Sequence, residues 1–339
     1  VEASVMQKNK MRDAPRELKL IEVIKNLVQR HHPKSLVPLG DDAFAFKSFS
    51  ASTVIAQDMM IEGVHFEMTY FKPADLGYKS LAVSLSDLAA MGAEPHFAQV
   101  SLAIPTSVDE AWVIQYYTGM TELADEFGVE IVGGDLCRSP GPIVIDVSVI
   151  GECEGPFTRK GAQAGDWLAV TGPLGLSHAG MLALQKELYI FAEGTQKHLR
   201  PKPRFDVSRL LRRHQLGPDT VHAMMDCSDG LVNDVMHLTR NLELGVELQE
   251  KDLPIEADSQ GFAVSLHQKA LDWALWGGED YELLLAFPPN KKDELKYIFE
   301  ADNRDLFLIG KFNDTGQITL QTTNGEIQSL DQFKGWSHF

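Results

Sequence analysis

The chain has 339 residues, 44% hydrophobic and 23% charged, with 31 Lys plus Arg against 48 Asp plus Glu and a formal charge of −17. That length exceeds what one hydrophobic core usually supports, so two domains are expected, and the composition excludes a disordered chain. The acidic balance argues against a non-specific nucleic-acid surface, and it repels anionic substrates unless bound cations reverse the local sign. Cys137, Cys153 and Cys227 lie far apart with no C-x-x-C spacing. They suit neither a zinc site nor a disulfide framework and point to a reducing, cytoplasmic setting. No apolar run approaches the length of a membrane span, and no signal-peptide pattern is seen.

The first dozen residues are left out of the fold reading. A helix starts near Asp13 and Pro15 and keeps Leu18, Ile21, Ile24 and Val28 on one face until Pro33. A turn at Gly40-Asp41-Asp42 precedes a short strand, Thr53 to Ala56, that ends in Asp58. Pro73 to Met91 reads as a helix closed by Gly92. Ser107 and Glu110 form a capping-box pattern before a helix carrying Val113, Tyr116, Met120, Leu123 and Phe127. Strands follow at 129–132 and 143–150.

The Gly-rich, aperiodic stretch from Gly151 to Gly165 marks the domain boundary, giving domains 13–151 and 152–339. The second half gives a strand at 167–171, a helix near 176–187 and, after a polar segment, a strand at 223–226 and a helix at 229–242. A strand at 246–248, a helix near 263–271, a strand at 281–287, a helix near 291–299 and two closing strands complete it. Without strict β-α alternation a doubly wound fold is not indicated, and the class is α+β. One weak internal echo joins Leu85-Ser86-Asp87-Leu88 to Cys227-Ser228-Asp229-Gly230.

There is no P-loop, no dinucleotide fingerprint, no nucleophile elbow and no protein-kinase signature. Instead an Asp or Glu beside Gly or Ser recurs at the ends of apolar runs. These segments are Gly40-Asp41-Asp42, Gln57-Asp58, Ser86-Asp87, Gly133-Gly134-Asp135, Asp226-Cys227-Ser228-Asp229 and Gly277-Gly278-Glu279-Asp280. Each alone reads as a turn. Together they suit magnesium, which joins one or two carboxylates to phosphate oxygens, with glycine letting the backbone approach a phosphate. Asp87 is the strongest piece. It sits on an apolar helix with Ser80 and Ser84 at helical spacing, and Leu81, Val83, Leu85, Leu88 and Met91 leave little room for a solvated face.

Other residues keep two readings. His65 is either a phosphate contact or a turn or core histidine. Thr171-Gly172-Pro173-Leu174-Gly175 reads as a tight turn in preference to an anion site. Arg159 and Lys160 neutralise phosphate or form an exposed basic pair, and the basic run from Lys197 to Arg213 reads as a solvated face. Trp336 stacks on a flat ligand or packs the tail.

The ordered set GDDAF (40–44), DMMIEGVHF (58–66), DLGYKSLAVSLSDLAAMGAEP (75–95), GGD (133–135), TRKGAQAGDWLAVTG (158–172), DCSDGL (226–231), GGEDYEL (277–283) and GWSHF (335–339) resembles the thiamine-monophosphate kinases. These belong to the aminoimidazole-ribonucleotide-synthetase-like superfamily. The resemblance runs in family order from about Gly40 onward. It implies a two-domain fold, with a dimer-forming β-sheet in the N-terminal ATP- and Mg-binding domain and a C-terminal α/β sandwich-like domain completing the site. It implies phosphoryl transfer from ATP to thiamine monophosphate, several Mg2+ ions, a homodimer, and no side-chain nucleophile. By motif position Asp42, Asp58, Asp87, Asp135 and Asp226 resemble magnesium ligands, with Asp229 near a further ion. Gly134, Asp135, Arg159 and Ser228 resemble ATP contacts, and His65, Glu279 and Trp336 substrate contacts. The chain departs from the family at Ala56 and Gln57, where Ser/Thr-Thr is usual, and at Ser84, where Asn is usual. Two other readings stand beside this one: another ATP-dependent synthetase of the superfamily, and a catalytically silent nucleotide-binding relative. A cysteine-dependent branch fits poorly, because no Cys precedes Cys137 and the chain ends Ser337-His338-Phe339.

Overall fold

Helical periodicity near the N-terminus and alternation in the strands assemble into two units in the computed structural model, which describes residues 16–29, 33–37, 39, 43–188, 191–240 and 242–330. The Gly40-Asp41-Asp42 turn and the terminal GWSHF, with the expectations placed on Asp42 and Trp336, lie outside the described residues. One unit comprises 1–84 and 95–152, the other 85–94 and 153–339.

In the first unit, α1 (Arg16–Val28) buries Leu20, Ile24 and Val28, a stripe at i, i+4, i+8, and packs on α3 (Glu110–Phe127). The N-cap of α3 is Asp109, not the expected Ser107: Asp109 is extended and accepts the Trp112 N–H at 2.8 Å. Helix α2 (Pro73–Ala90) is buried around nearly its whole circumference, with Leu76, Lys79, Leu81 and Ser84 all at 0% exposure. Its fit against α3 depends on two glycines. A Cβ on Gly77 would lie 1.8 Å from the Tyr116 carbonyl oxygen, and one on Gly119 would lie 1.8 Å from that of Ala74. Gly77→Ala is therefore expected to destabilise the fold by about 1–3 kcal/mol through overpacking, read as a lowered urea midpoint; an unchanged midpoint would show that the helices do not approach this closely.

The sheet of this unit runs β1-β4-β2-β3, with β1 (Ser52–Ile61), β2 (Glu94–Ile104), β3 (Glu130–Arg138) and β4 (Val144–Cys153). The sequence reading contains no counterpart of β2, an interior strand whose burial does not alternate strictly. It pairs in parallel with β3 from Phe97↔Glu130 to Ile104↔Arg138, with a register shift at Ala98/Gln99. Strand β1 is longer than expected, so Asp58 sits within it and not at its end. Likewise Gly133-Gly134-Asp135 lies inside β3, not in a turn after it.

The second unit holds a seven-stranded mixed sheet in the order β11-β10-β7-β9-β5-β8-β6. Its strands are β5 (Trp167–Val170), β6 (Ala223–Cys227), β7 (Gly245–Gln249), β8 (Glu282–Phe287), β9 (Phe307–Asn313), β10 (Ile318–Gln321) and β11 (Ile327–Ser329). Strand β8 is buried at every position, and its side chains alternate between two cores. Leu284 and Ala286 join Leu231, Val235, Leu238, Ala274 and Leu275, from α7 (Leu231–Thr239) and α9 (Ala270–Trp276). Leu283, Leu285 and Phe287 join Val207, Leu210, Leu295 and Phe299, from α6 (Phe205–Arg213) and α10 (Lys292–Ala301). Helices thus cover both faces of the sheet, and the chain is α+β as expected. A third core ties α4 (Leu176–Gln185) to α8 (Ala257–Ser265) and α9 through Leu176, Ala179, Phe262 and Trp273. Two helices occupy what reads in the sequence as a polar segment, α5 (Ala192–Leu199) and α6. Among the described residues no helix is long and apolar enough to cross a membrane.

Candidate active site

In the second unit the chain leaves β6 at Cys227 and enters α7 at Leu231, and the intervening turn carries Ser228 and Asp229. Asp226, 3% exposed, accepts a 2.7 Å hydrogen bond from the Ser86 hydroxyl. The end of α2 that bears Asp87 is thereby tied to the end of β6, so the two segments of the internal echo meet. Asp87 is half-buried among fully buried neighbours. Ser80 and Ser84, read as its polar face, have structural work within the first unit. Ser80 Oγ bonds the Gly77 carbonyl at 3.0 Å and lies 2.9 Å from the Tyr116 hydroxyl, and Ser84 Oγ donates to the Val147 carbonyl at 3.0 Å.

The turn after β6 is braced from inside. Asp234 Oδ2 accepts the Asp229 N–H at 3.3 Å, and Asn233 donates to the Asp229 carbonyl at 2.9 Å. Asp234 is fully buried, and its Oδ1 has no hydrogen-bond partner among the described residues. Burial, then the charges of Asp226 and Asp229, push its carboxyl well above the usual range. These three carboxyls therefore share one local field. Arg159 is exposed, and its charge also reaches this turn: His237 is held below its ordinary value by burial and Arg159, against the opposing pull of Asp229.

The G-G-E-D-Y-E stretch docks onto the same turn. The Glu279 N–H donates to the Ser228 carbonyl at 2.7 Å, and the Tyr281 N–H to that of Cys227 at 2.8 Å. Asp280, wholly buried, accepts from Gly175 N at 2.6 Å and Ser177 N at 3.0 Å. The amides at the start of α4 thus hold an anion, as helix starts do, but it is the chain's own carboxylate. Glu282, 3% exposed, accepts from Thr171 Oγ1 at 2.8 Å and pairs with Lys197 and Arg204.

Those two pairs correct the reading of Lys197 to Arg213 as a solvated face. Lys197 and Arg204 are largely buried against Glu282, and Arg212 stacks over the Phe157 ring while donating to the carbonyls of Gly92, Glu154 and Gly155. The exposed reading holds at Arg209, on Glu94, and at Arg213, on Asp302, whose side chains remain 41% and 61% exposed. Sequence reasoning gave no individual role to Asp234, Asp280 or Glu282 and read Lys197 and Arg204 only as part of a solvated face. The signal for Asp280 and Glu282 was present as extra carboxylates inside GGEDYEL (277–283), whereas Asp234 lies three residues beyond DCSDGL (226–231).

Burial pushes Asp280 up to about 7, against Lys197 and the two amides. Burial acts likewise on Glu282, but Lys197 and Arg204 outweigh it and hold that carboxyl below its ordinary value. The two therefore act on stability in opposite senses. Unfolded Asp ionises near pH 3.9, so Asp280 contributes stability that declines as pH rises from about 4 to its folded value. Glu282 contributes above about pH 4.3, and that contribution is lost as pH falls through its lower folded value. Asp280→Asn should flatten the pH 5 to 7 decline in unfolding free energy by up to about 1.4 kcal/mol per pH unit; parallel profiles for variant and parent in urea titrations would refute the assignment.

In the first unit, Asp58 is half-buried in β1, while Gly134 and Asp135 are exposed on β3. Gly134 has φ +148°, and a Cβ there would sit 1.8 Å from the Val100 carbonyl oxygen, so only glycine lets β3 lie this close to β2. His65 closes its own turn: its Nδ1 accepts the Ile61 N–H at 3.0 Å, and its N–H donates to the Ile61 carbonyl at 2.9 Å. Gln57, at the position where the family resemblance expects a hydroxyl, donates through Nε2 to both oxygens of Asp146 at 2.8 Å. Among the described residues no three His, Cys, Asp or Glu side chains converge as a preformed metal cage.

Residues 40–153 match the family AIR synthase related protein, N-terminal domain, and residues 163–323 match AIR synthase related protein, C-terminal domain. The thiamine-monophosphate kinase of Bacillus subtilis is 33% identical over 318 residues, spanning 91% of this chain and 95% of that one. The crystal structure of thiamine-monophosphate kinase from Stenotrophomonas maltophilia superposes with a TM-score of 0.78 at 30% identity, covering 92% of this chain and 97% of that one. The structure of AaThiL complexed with AMPPCP and TMP gives 0.74 at 29% identity, covering 95% and 97%. With both domains matched and relatives of this identity spanning nearly the whole chain, the protein belongs to the thiamine-monophosphate kinase family of AIR synthase related proteins.

Proposed function

We propose that this chain transfers the γ-phosphoryl group of ATP to thiamine monophosphate, giving thiamine diphosphate and ADP. The observation that carries the reading is the joining of Asp87, Asp226, Ser228, Asp229 and Glu279 by the Ser86–Asp226 and Glu279–Ser228 hydrogen bonds in one unit of a chain that belongs to this family. That AaThiL is complexed with AMPPCP and TMP supports the two substrates.

In the transfer, the bond between the γ-phosphorus and the oxygen leaving with ADP breaks as a phosphate oxygen of the acceptor bonds to that phosphorus. The acceptor phosphate is ionised at neutral pH, so no side-chain base or nucleophile is required, and catalysis rests on alignment and charge. The donor set fits magnesium. It is all oxygen, and Asp226 and Asp229 lie close enough for both to act on Asp234, whereas magnesium needs only one or two carboxylates besides waters and phosphate oxygens. When bound, the cations would neutralise charge between the two polyanions. Asp58, Asp87, Asp135 and Asp226 are the proposed ligands, with Asp229 beside a further ion and Asp42 outside the described residues. Gly134, Asp135, Arg159 and Ser228 are proposed to contact ATP, and His65 and Glu279 the acceptor.

The domain roles follow the same reading: residues 13–151 bind nucleotide and metal and dimerise, and 152–339 complete the site. A homodimer is supported by β1, an edge strand that leaves Ile55 66% and Met59 52% exposed. A cytoplasmic setting is supported by three free cysteines. The deciding experiment measures ADP release with ATP and magnesium, with thiamine monophosphate compared against free thiamine and other phosphomonoesters. Release that depends on thiamine monophosphate is expected; its absence would overturn the assignment.

A further inference from the structure

Glu279 stands in an unusual place. Its φ is +67°, and that of Tyr281 two residues on is +50°, so two non-glycine residues occupy the left-handed region within three positions. Such strain persists only where the surroundings over-determine it. Here the backbone is clamped by the Ser228 and Cys227 carbonyls and by the grip of Asp280 on the start of α4. Those clamps fix the Glu279 main chain, but its side chain still has three rotatable bonds.

The carboxylate is met from below. His198, in the last turn of α5, places Nδ1 3.2 Å from Glu279 Oε2 and 3.2 Å from Ser177 Oγ. The imidazole is 2% exposed and the glutamate side chain 29%, so Glu279 can reach a ligand and His198 cannot. His178 lies in the same pocket of charge, held below its ordinary value by burial and His198 against the pull of Glu279. Helix α5 packs on α4, whose first turn also supplies the Gly175 and Ser177 contacts, so one scaffold grips both the loop and the histidine.

We propose that His198 is a positioning residue for the acceptor substrate: it holds the Glu279 carboxylate in the orientation that binds thiamine monophosphate. The inference rests on the reading of Glu279 as an acceptor contact given above. Because His198 acts through Glu279 and touches no substrate, its loss falls on acceptor binding and not on ATP.

The test is steady-state kinetics on the full chain. His198→Leu should raise KM for thiamine monophosphate by about tenfold to a hundredfold, leaving KM for ATP within about twofold. His198→Asn, whose amide donates from near the Nδ1 position, should recover most of this, and His198→Gln, which carries the amide one bond farther out, should not. In a Glu279→Gln background His198→Leu should add nothing. Equal rises in both KM values, additive effects with Glu279→Gln, or an unchanged acceptor KM would overturn the proposal. Should His198→Leu fail to fold, by its melting temperature, the Asn and Gln variants decide, and indistinguishable acceptor KM values overturn it. A wild-type chain that releases no ADP with thiamine monophosphate removes the functional reading itself, whereas an active wild type with insensitive His198 variants removes only the positioning role.

Discussion

Asp87→Ala should lower turnover by roughly a thousandfold, the scale on which a single charge-organising group acts in a preorganised site. The fold should survive. Asp87 is half-buried, unlike the fully buried residues on either side of it, and alanine favours the helical conformation that α2 already has. Ser86 would still bond Asp226, so the attachment of this segment to β6 is preserved. The loss would therefore appear in kcat while the melting temperature moves by only a few degrees. Near-normal turnover at saturating magnesium would remove Asp87 from the site. Asp229→Ala gives an informative contrast, because it deletes charge from a turn whose backbone stays pinned by Asp234 and Asn233.

The second large effect concerns stability. Glu282→Ala should destabilise the second unit by about 3–5 kcal/mol, the usual consequence of removing one partner from a buried ion pair. Lys197 and Arg204 would remain in place with their principal counter-charge gone. Asp206 would still engage Arg204, at 3.0 and 3.1 Å, which places the cost nearer the lower end. Converting the glutamate and Lys197 together to apolar residues of similar size should cost less than the single change, because the one buried charge then left behind is Arg204, which Asp206 still engages. Urea unfolding with a constant slope measures both. A loss below about 1 kcal/mol for Glu282→Ala would mean that the network behaves as a surface pair.

These expectations separate what local sequence carries from what it does not. The amphipathic stripe of α3 and the apolar runs of β6 and β8 were readable, because burial on one or both faces imposes a period that a short window reveals. Helix α1 was legible as a helix, but its face turns through Leu20, Ile24 and Val28 and leaves the expected Leu18 51% exposed. The acidic motifs and their order sufficed to indicate the family and the reaction. The structure then joined Asp87, Asp226, Ser228, Asp229 and Glu279 in one unit. By contrast β2 has no such signature. It is an interior strand whose side chains are partly covered on both faces, so nothing alternates strictly.

The basic run between Lys197 and Arg213 shows the limit most clearly. Its spacing and charge are those of a solvated surface, and its actual environment was decided by residues far away in sequence. Lys197 and Arg204 meet Glu282 across 85 and 78 residues, and Arg212 meets the Gly92 carbonyl across 120. The pairings with Glu282 arise only when the sheet brings β8 beside α5 and the start of α6, and no local window holds both partners of any of these contacts. The sequence by itself determined which chemistry this chain carries. Tertiary structure alone decided which charges are buried to hold that chemistry in place, because a charge is stable inside only beside a partner the fold has delivered.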